Sequence, residues 1–294
     1  MNDRLFTGCG VAMAAPFCES GVNEHELKRQ VERHISAGTR AMIACGTTGE
    51  PSAMTPAEKE RMIRAAIDAA GGRIQVIAGT GCSDTSRAAR DTRLAGDWGA
   101  DAALVVTPYY NKCTQRGLIE HYTAIADAAD IPIIVYNVPS RTGLNMLPET
   151  FARLSEHENI CGMKEASGNI AQITELARLC GDRIALYSGN DDTTLPVLAL
   201  GGQGVISVTA NILPEQVEHM VEMYMAGDVK GSREMQFYLN EMNHALMSEV
   251  NPIPVKTAMR LMGMDMGALR LPLTEMQGER LDELKAVLRK YALI

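Results

Sequence analysis

Short apolar and β-branched runs alternate with helical patterns from residue 8 to about residue 226, one run arriving about every 20 to 30 residues. Eight of these runs read as strands, near Gly8 to Ala14, Ala41 to Cys45, Ile74 to Ala78, Ala102 to Thr107, Ile133 to Tyr136, Ile160 to Lys164, Ile184 to Ser188 and Gly204 to Ser207. Each precedes a helical stretch with marked ends. Asn23 stands ahead of Glu24 to Ala37, Thr55-Pro56 caps a helix that runs to Ala70, and Asp84 leads into Thr85 to Gly96. Gly38, Gly71 and Gly181 stand at exits. Eight parallel strands with eight helices predict an α/β fold, a closed (β/α)8 TIM barrel over residues 1–226. A doubly wound sheet of this size would more often carry a glycine-rich dinucleotide turn after its first strand. The chain has neither GxGxxG nor GxxxxGKS. After residue 226 strands disappear, and Lys230 to Ser248, Pro254 to Met262 and Glu279 to Tyr291 read as appended helices. They make 227–294 a C-terminal helical region that covers one side of the barrel or forms a subunit contact.

Composition narrows the partners. In 294 residues, 46% hydrophobic and 22% charged content supplies a large core. A net charge of -8 with scattered lysines and arginines argues against nucleic acid or an anionic membrane surface, and favours small polar metabolites. No apolar run reaches the roughly 18 to 20 residues of a membrane span, and the first residues lack a signal-peptide core, so a cytoplasmic location is expected. Seven cysteines form no CxxC pair and read as buried small hydrophobes. Six dispersed histidines show no HExxH spacing, so no protein-bound catalytic metal is expected. The 18 methionines read as adaptable packing between helices.

Lys164 closes the sixth run, and Glu165 to Asn169 reads as a turn into a helix. A lysine at the carboxyl end of a buried strand pays several kcal/mol or more unless it is paired or loses its proton. The neutral amine is a nucleophile for carbonyl carbon. Barrel enzymes build their sites at the carboxyl ends of strands. Those ends hold Thr47-Thr48, Tyr109-Tyr110, Tyr136, Lys164 and Gly189, a set of hydroxyls, a phenol and one amine suited to proton relay around a Schiff base with no cofactor. Strand alternation puts Ile160, Gly162 and Lys164 on one face, with Gly162 leaving space below the amine, and aligns Ile134 with Tyr136. Taken singly, each residue has a plainer reading. Lys164 also suits a structural lysine paired with Glu165, Tyr136 a core tyrosine, Tyr109-Tyr110 interface packing, and Arg141 a solvated arginine.

Five ordered segments, Gly46 to Glu50, Thr107 to Asn111, Tyr136 to Thr142, Gly162 to Ala166 and Asn251 to Lys256, resemble the dihydrodipicolinate synthase family over essentially the whole chain. The resemblance implies condensation of pyruvate with L-aspartate 4-semialdehyde on the diaminopimelate route to lysine. It makes Lys164 the Schiff-base nucleophile and Tyr136 the general acid and base. Thr47 would join Tyr136 to Tyr110, which is supplied across a dimer interface, so that a monomer would be impaired. Thr47 and Thr48 would hold the pyruvate carboxylate, with the backbone near Gly189 and Ile206 completing the pocket. Arg141 would grip the aldehyde's carboxylate in a bidentate fork. A homotetramer, a dimer of dimers, is common in the family.

One departure bears on regulation. Many members are inhibited by lysine at the dimer interface beside the residue matching Tyr109, whereas this chain carries Pro51, Lys59, Ser83 and Arg87 at the sensing places. A cationic effector would meet two cations there, so weak or absent feedback is expected. The nearest rival is a pyruvate-dependent sugar-acid lyase acting on N-acetylneuraminate or 2-keto-3-deoxygluconate; Arg141 and the second threonine speak against it. A catalytically silent barrel that binds pyruvate as a sensor is the rival from another class.

Overall fold

A computed structural model describes residues 5–294. Its strands are β1 (Gly8–Ala12), β2 (Phe17–Cys18), β3 (Gly21–Val22), β4 (Ala41–Ala44), β5 (Gln75–Gly79), β6 (Ala102–Val106), β7 (Ile133–Asn137), β8 (Ile160–Glu165), β9 (Ala185–Ser188) and β10 (Gly204–Ser207). Eight of them close a parallel barrel in the order β1-β10-β9-β8-β7-β6-β5-β4. This is the (β/α)8 architecture expected, with the strand ends moved by one or two residues. The antiparallel hairpin of β2 and β3 is an addition; at two residues per strand it leaves no periodic signal to read.

The helices start where short polar side chains can serve the free N–H groups of a first turn. Asn23 accepts from the Glu26 backbone at the head of Glu24–Ser36, and Asp84 from Arg87 at the head of Thr85–Asp97. Thr55 and Glu58 form a reciprocal capping box ahead of Pro56–Ala70, which ends on Gly71 in the left-handed region. After the barrel come Val229–Leu246, Ile253–Leu261 and Gly278–Lys290. The first of these lies against Pro214–Met225. One apolar cluster joins Val11, Val31 and Val217 of the barrel to Leu239, Met242, Ile253 and Met259 of these helices. Burial of each such side chain contributes about 1.5–3 kcal/mol, which fastens the helical segment to the barrel wall.

Methionine packs as expected at Met220, Met242, Met259 and Met266, though Met225 and Met247 are exposed. Cys9, Cys45, Cys161 and Cys180 are buried, while Cys18 is exposed and Cys82 and Cys113 are half-buried, so the small-hydrophobe reading fits only the first group.

Strict alternation fails in one strand. Ile133 pairs with Ile160, but Ile134 pairs with Gly162, a bulge that inserts one extra residue into β8. Ile160 therefore packs outside the barrel with Ile133 and Met163, and does not share the inner face with Lys164. Nor does Gly162 leave a void: a Cβ there would meet Ala185 O and Leu5 Cδ1, each at 3.0 Å. Beyond the bulge the register recovers, and Tyr136 and Lys164 stand side by side on β7 and β8.

Candidate active site

Lys164 is 4% exposed, and its Nζ lies 4.4 Å from the centre of the Tyr136 ring. Burial is the main force on the amine and brings its pKa down to about 7; the Asp191 carboxylate opposes the shift and the Arg141 guanidinium adds to it. The neighbouring acid is not the amine's partner. Glu165 points to the other face of β8, where its carboxylate accepts from Ser167 N at 2.6 Å and Asn137 Nδ2 at 3.0 Å. Tyr136 is buried as well, which raises its pKa, while Arg141 and a hydrogen bond with the Thr47 side chain pull the other way.

Thr47 and Thr48 sit in the turn Thr47–Gly49 that follows β4. Two residues with positive φ, Cys45 at 59° and Glu50 at 55°, bracket it. Such backbone is strained outside glycine and holds only when its surroundings impose it. Here the imposing contacts come from the far end of the chain. Glu50 accepts from Lys256 Nζ at 2.7 Å and from Arg270 N at 2.9 Å, and Asn251 Nδ2 donates to Thr48 Oγ1 at 3.0 Å. The Phe17 ring of the small hairpin lies 4.2 Å from Lys256 Nζ and 3.9 Å from Arg270 Cζ.

Arg141 is carried by the one-turn helix Pro139–Thr142 after β7, and its Nη2 donates to Asn251 O at 3.2 Å. A cleft of about 800 Å³ opens over this end of the barrel, walled by Thr47, Tyr136, Arg141, Asn251 and Tyr109. Lys164, Thr48, Gly189 and Ile206 are not among its walls. Ile206 is wholly buried in the barrel interior. Gly189 N donates to Glu165 O at 2.7 Å. A Cβ on Gly189 would meet the Ala166 Cβ at 2.6 Å, so the close approach of these loops requires glycine. Tyr110 stays apart from the rest: it is 95% exposed, at φ 70°.

The sequence pattern of the Dihydrodipicolinate synthetase family matches residues 5–291. The chain belongs to this family. It is 54% identical over 291 residues to a 4-hydroxy-tetrahydrodipicolinate synthase of Thermoanaerobacter sp. (strain X514), covering 99% of this chain and 98% of the relative. Identity to the enzyme of that name from Clostridium tetani (strain Massachusetts / E88) is 50%, over 99% of both chains. The crystal structure of dihydrodipicolinate synthase from Aquifex aeolicus superposes with a TM-score of 0.96 at 46% identity, covering 98% of this chain and 99% of that one.

Membership makes the chain an enzyme, a lyase of the dihydrodipicolinate synthase type. Three further features carried no role in the sequence reading, although Glu50, Asn251 and Lys256 lie in its motif segments. Asp191, just past β9, is buried and accepts from Ser207 Oγ, from Val208 N at 2.9 Å and from Thr209 N at 3.2 Å. Burial raises its pKa against those bonds and against the charge of Lys164. Asn251 and the Glu50–Lys256 pair are the other two. A buried acid after a strand end was readable at Asp191 in principle; the links from Asn251 and Lys256 to the threonine turn span 203 and 206 residues and left no local sign. Among the described residues, no group of three or more His, Cys, Asp or Glu is placed to hold a metal ion, and no helix is long and apolar enough to cross a membrane.

Proposed function

We propose that the chain catalyses the 4-hydroxy-tetrahydrodipicolinate synthase reaction in the diaminopimelate route to lysine, condensing pyruvate with L-aspartate 4-semialdehyde and releasing water. The observation that carries this reading is the Lys164 amine, buried at a strand end beside Tyr136 with its pKa near 7, in a family whose relatives bear that enzyme name. Lys164 in its neutral form attacks the keto carbon of pyruvate. Its nitrogen gives up one proton and Tyr136 supplies a second, so that the carbinolamine expels its oxygen as water and leaves a protonated imine. Tyr136, linked to Thr47, carries protons between these groups and then removes one from the pyruvate methyl group, giving an enamine. The enamine carbon bonds to the aldehyde carbon of the semialdehyde as the carbonyl π bond breaks, and the aldehyde oxygen takes the proton from Tyr136 to become a hydroxyl. Attack of the substrate's own amine on the imine carbon closes the ring and frees Lys164.

Thr47 and Thr48 hold the pyruvate carboxylate, and Arg141 at the cleft rim holds that of the semialdehyde. The backbone near Gly189 and Ile206 completes the pocket. Tyr110, exposed on its own protomer, reaches a neighbour's Thr47 in a dimer, and two dimers form the tetramer. The free state of all seven thiols agrees with work in the cytoplasm. Lys59 and Arg87, which line the same cleft as Tyr109, make feedback by lysine weak, and half-maximal inhibition at submillimolar lysine would refute that part.

The test is product formation from the two substrates, coupled to a reductase that consumes NADPH, with cleavage of N-acetylneuraminate and 2-keto-3-deoxygluconate run in parallel. Turnover confined to the semialdehyde supports the reading. Pyruvate release from a sugar acid without it overturns the substrate.

A further inference from the structure

Asn251 precedes the helix Ile253–Leu261, outside the barrel strands, yet it contacts two loops at the barrel mouth. Its Nδ2 donates to Thr48 Oγ1 at 3.0 Å in a buried bond. Its backbone carbonyl accepts from Arg141 Nη2 at 3.2 Å. The residue is 7% exposed and forms part of the cleft wall. One residue thereby touches both side chains assigned to the two substrate carboxylates.

We propose that Asn251 is a positioning residue for the condensation, turning the Thr48 hydroxyl into a donor for the pyruvate carboxylate and seating Arg141 for the carboxylate of the semialdehyde. The proposal rests on the roles given to Thr48 and Arg141 above. A threonine hydroxyl has one proton and two lone pairs, whereas a carboxylate only accepts. With the Asn251 amide donating to one lone pair, the hydroxyl proton is free to face an acceptor. A donor fixed before substrate arrives gives the stronger charge-assisted bond without reorganisation. The amide Oδ1 is buried without a partner, and what anchors the segment is the backbone around it. Lys256, on the helix that Asn251 precedes, and the Arg270 backbone both grip Glu50, two residues beyond Thr48. Arg141 gains an anchor of the same origin, because its acceptor is the Asn251 backbone carbonyl.

Asn251→Asp tests the hydrogen-bond direction, since the shape is kept while the donor becomes an acceptor that engages the Thr48 hydroxyl proton in a hydrogen bond and repels both substrates. The Michaelis constant for pyruvate is expected to rise roughly tenfold or more, and that for the semialdehyde to rise with it. Asn251→Ala should fall between wild type and Asn251→Asp. In a Thr48→Val background, Asn251→Ala should add less than about twofold to the pyruvate constant, because the group it acts through is gone. A purely structural residue would lower the melting temperature of every variant without this dependence on Thr48. Asn251→Asp with both constants unchanged, as expected if Thr48 donates to the Asn251 side chain, would overturn the proposal. So would an Asn251→Ala effect undiminished by Thr48→Val. Wild-type enzyme is assayed in parallel for pyruvate trapping and turnover: failure there removes the functional reading and the proposal together, whereas wild-type activity with unaltered variants removes the proposal alone.

Discussion

Lys164 Nζ stands 4.4 Å from the ring centre of Tyr136, its register partner on the adjacent strand. The contact favours the ammonium through the face of the ring, while burial favours the amine, and the pKa near 7 reflects burial as the stronger force. Since the neutral amine is the nucleophile, kcat/KM for pyruvate should show an acid limb near pH 7. Asp191 acts on the protonated side of this balance. Asp191→Asn should move the acid limb to lower pH, and a limb that stays in place would remove Asp191 from the account. A pH-rate profile of both enzymes decides.

The same burial has a cost in stability. An unfolded lysine keeps its proton to about pH 10.4, whereas folded Lys164 gives it up near 7, so between these values the unfolded chain binds more protons and stability climbs with pH. Below about pH 7 both states are protonated and the folded protein bears the full cost of the buried charge. Lys164→Met should therefore raise the melting temperature by several degrees at pH 7, with the gain shrinking towards pH 10. Thermal unfolding at the two pH values measures it.

Most of the fold was legible because each barrel strand announces itself locally, by a short apolar or β-branched run ahead of the next helix. The exceptions have physical causes. The hairpin of Phe17 and Val22 is too short to show a period. The face of Ile160 was misjudged because alternation assumes an unbroken ladder, and the bulge beside Cys161 breaks it. At the site, Lys164, Tyr136 and the threonine pair stood out by chemistry at strand ends. Asn251 and Lys256 act on that turn from a distant part of the chain, and only folding brings them there.

Tyr136→Phe keeps the ring against Lys164 and deletes the hydroxyl that meets Thr47. Turnover should fall by about 10² to 10⁴ while pyruvate trapping on Lys164 survives, though more slowly. Single-turnover kinetics with and without the aldehyde separate the two effects.

Arg141 contributes through charge as well as contact. Its guanidinium lowers the pKa of both Lys164 and Tyr136. Arg141→Ala should raise the Michaelis constant for the semialdehyde roughly tenfold or more, with a smaller change for pyruvate. It should also shift the acid limb upward. An unaltered aldehyde constant would show that the carboxylate binds elsewhere.

Lys256 is wholly buried against Glu50, and removing one member strands the other charge. Lys256→Met should cost about 3–5 kcal/mol and lower the melting temperature by roughly 10 °C. Lys256→Met combined with Glu50→Gln should recover part of that loss. If the double variant is no more stable than the single one, the cost lies in packing against Phe17 instead.

The most direct measurement is borohydride reduction of the enzyme in the presence of pyruvate, followed by mass mapping of the labelled peptide. The account predicts a reduced pyruvyl adduct on Lys164, absent from Lys164→Ala, with more label above pH 7 than below it. An unlabelled enzyme that still condenses pyruvate with the semialdehyde, or an adduct on another lysine such as Lys256, would contradict it.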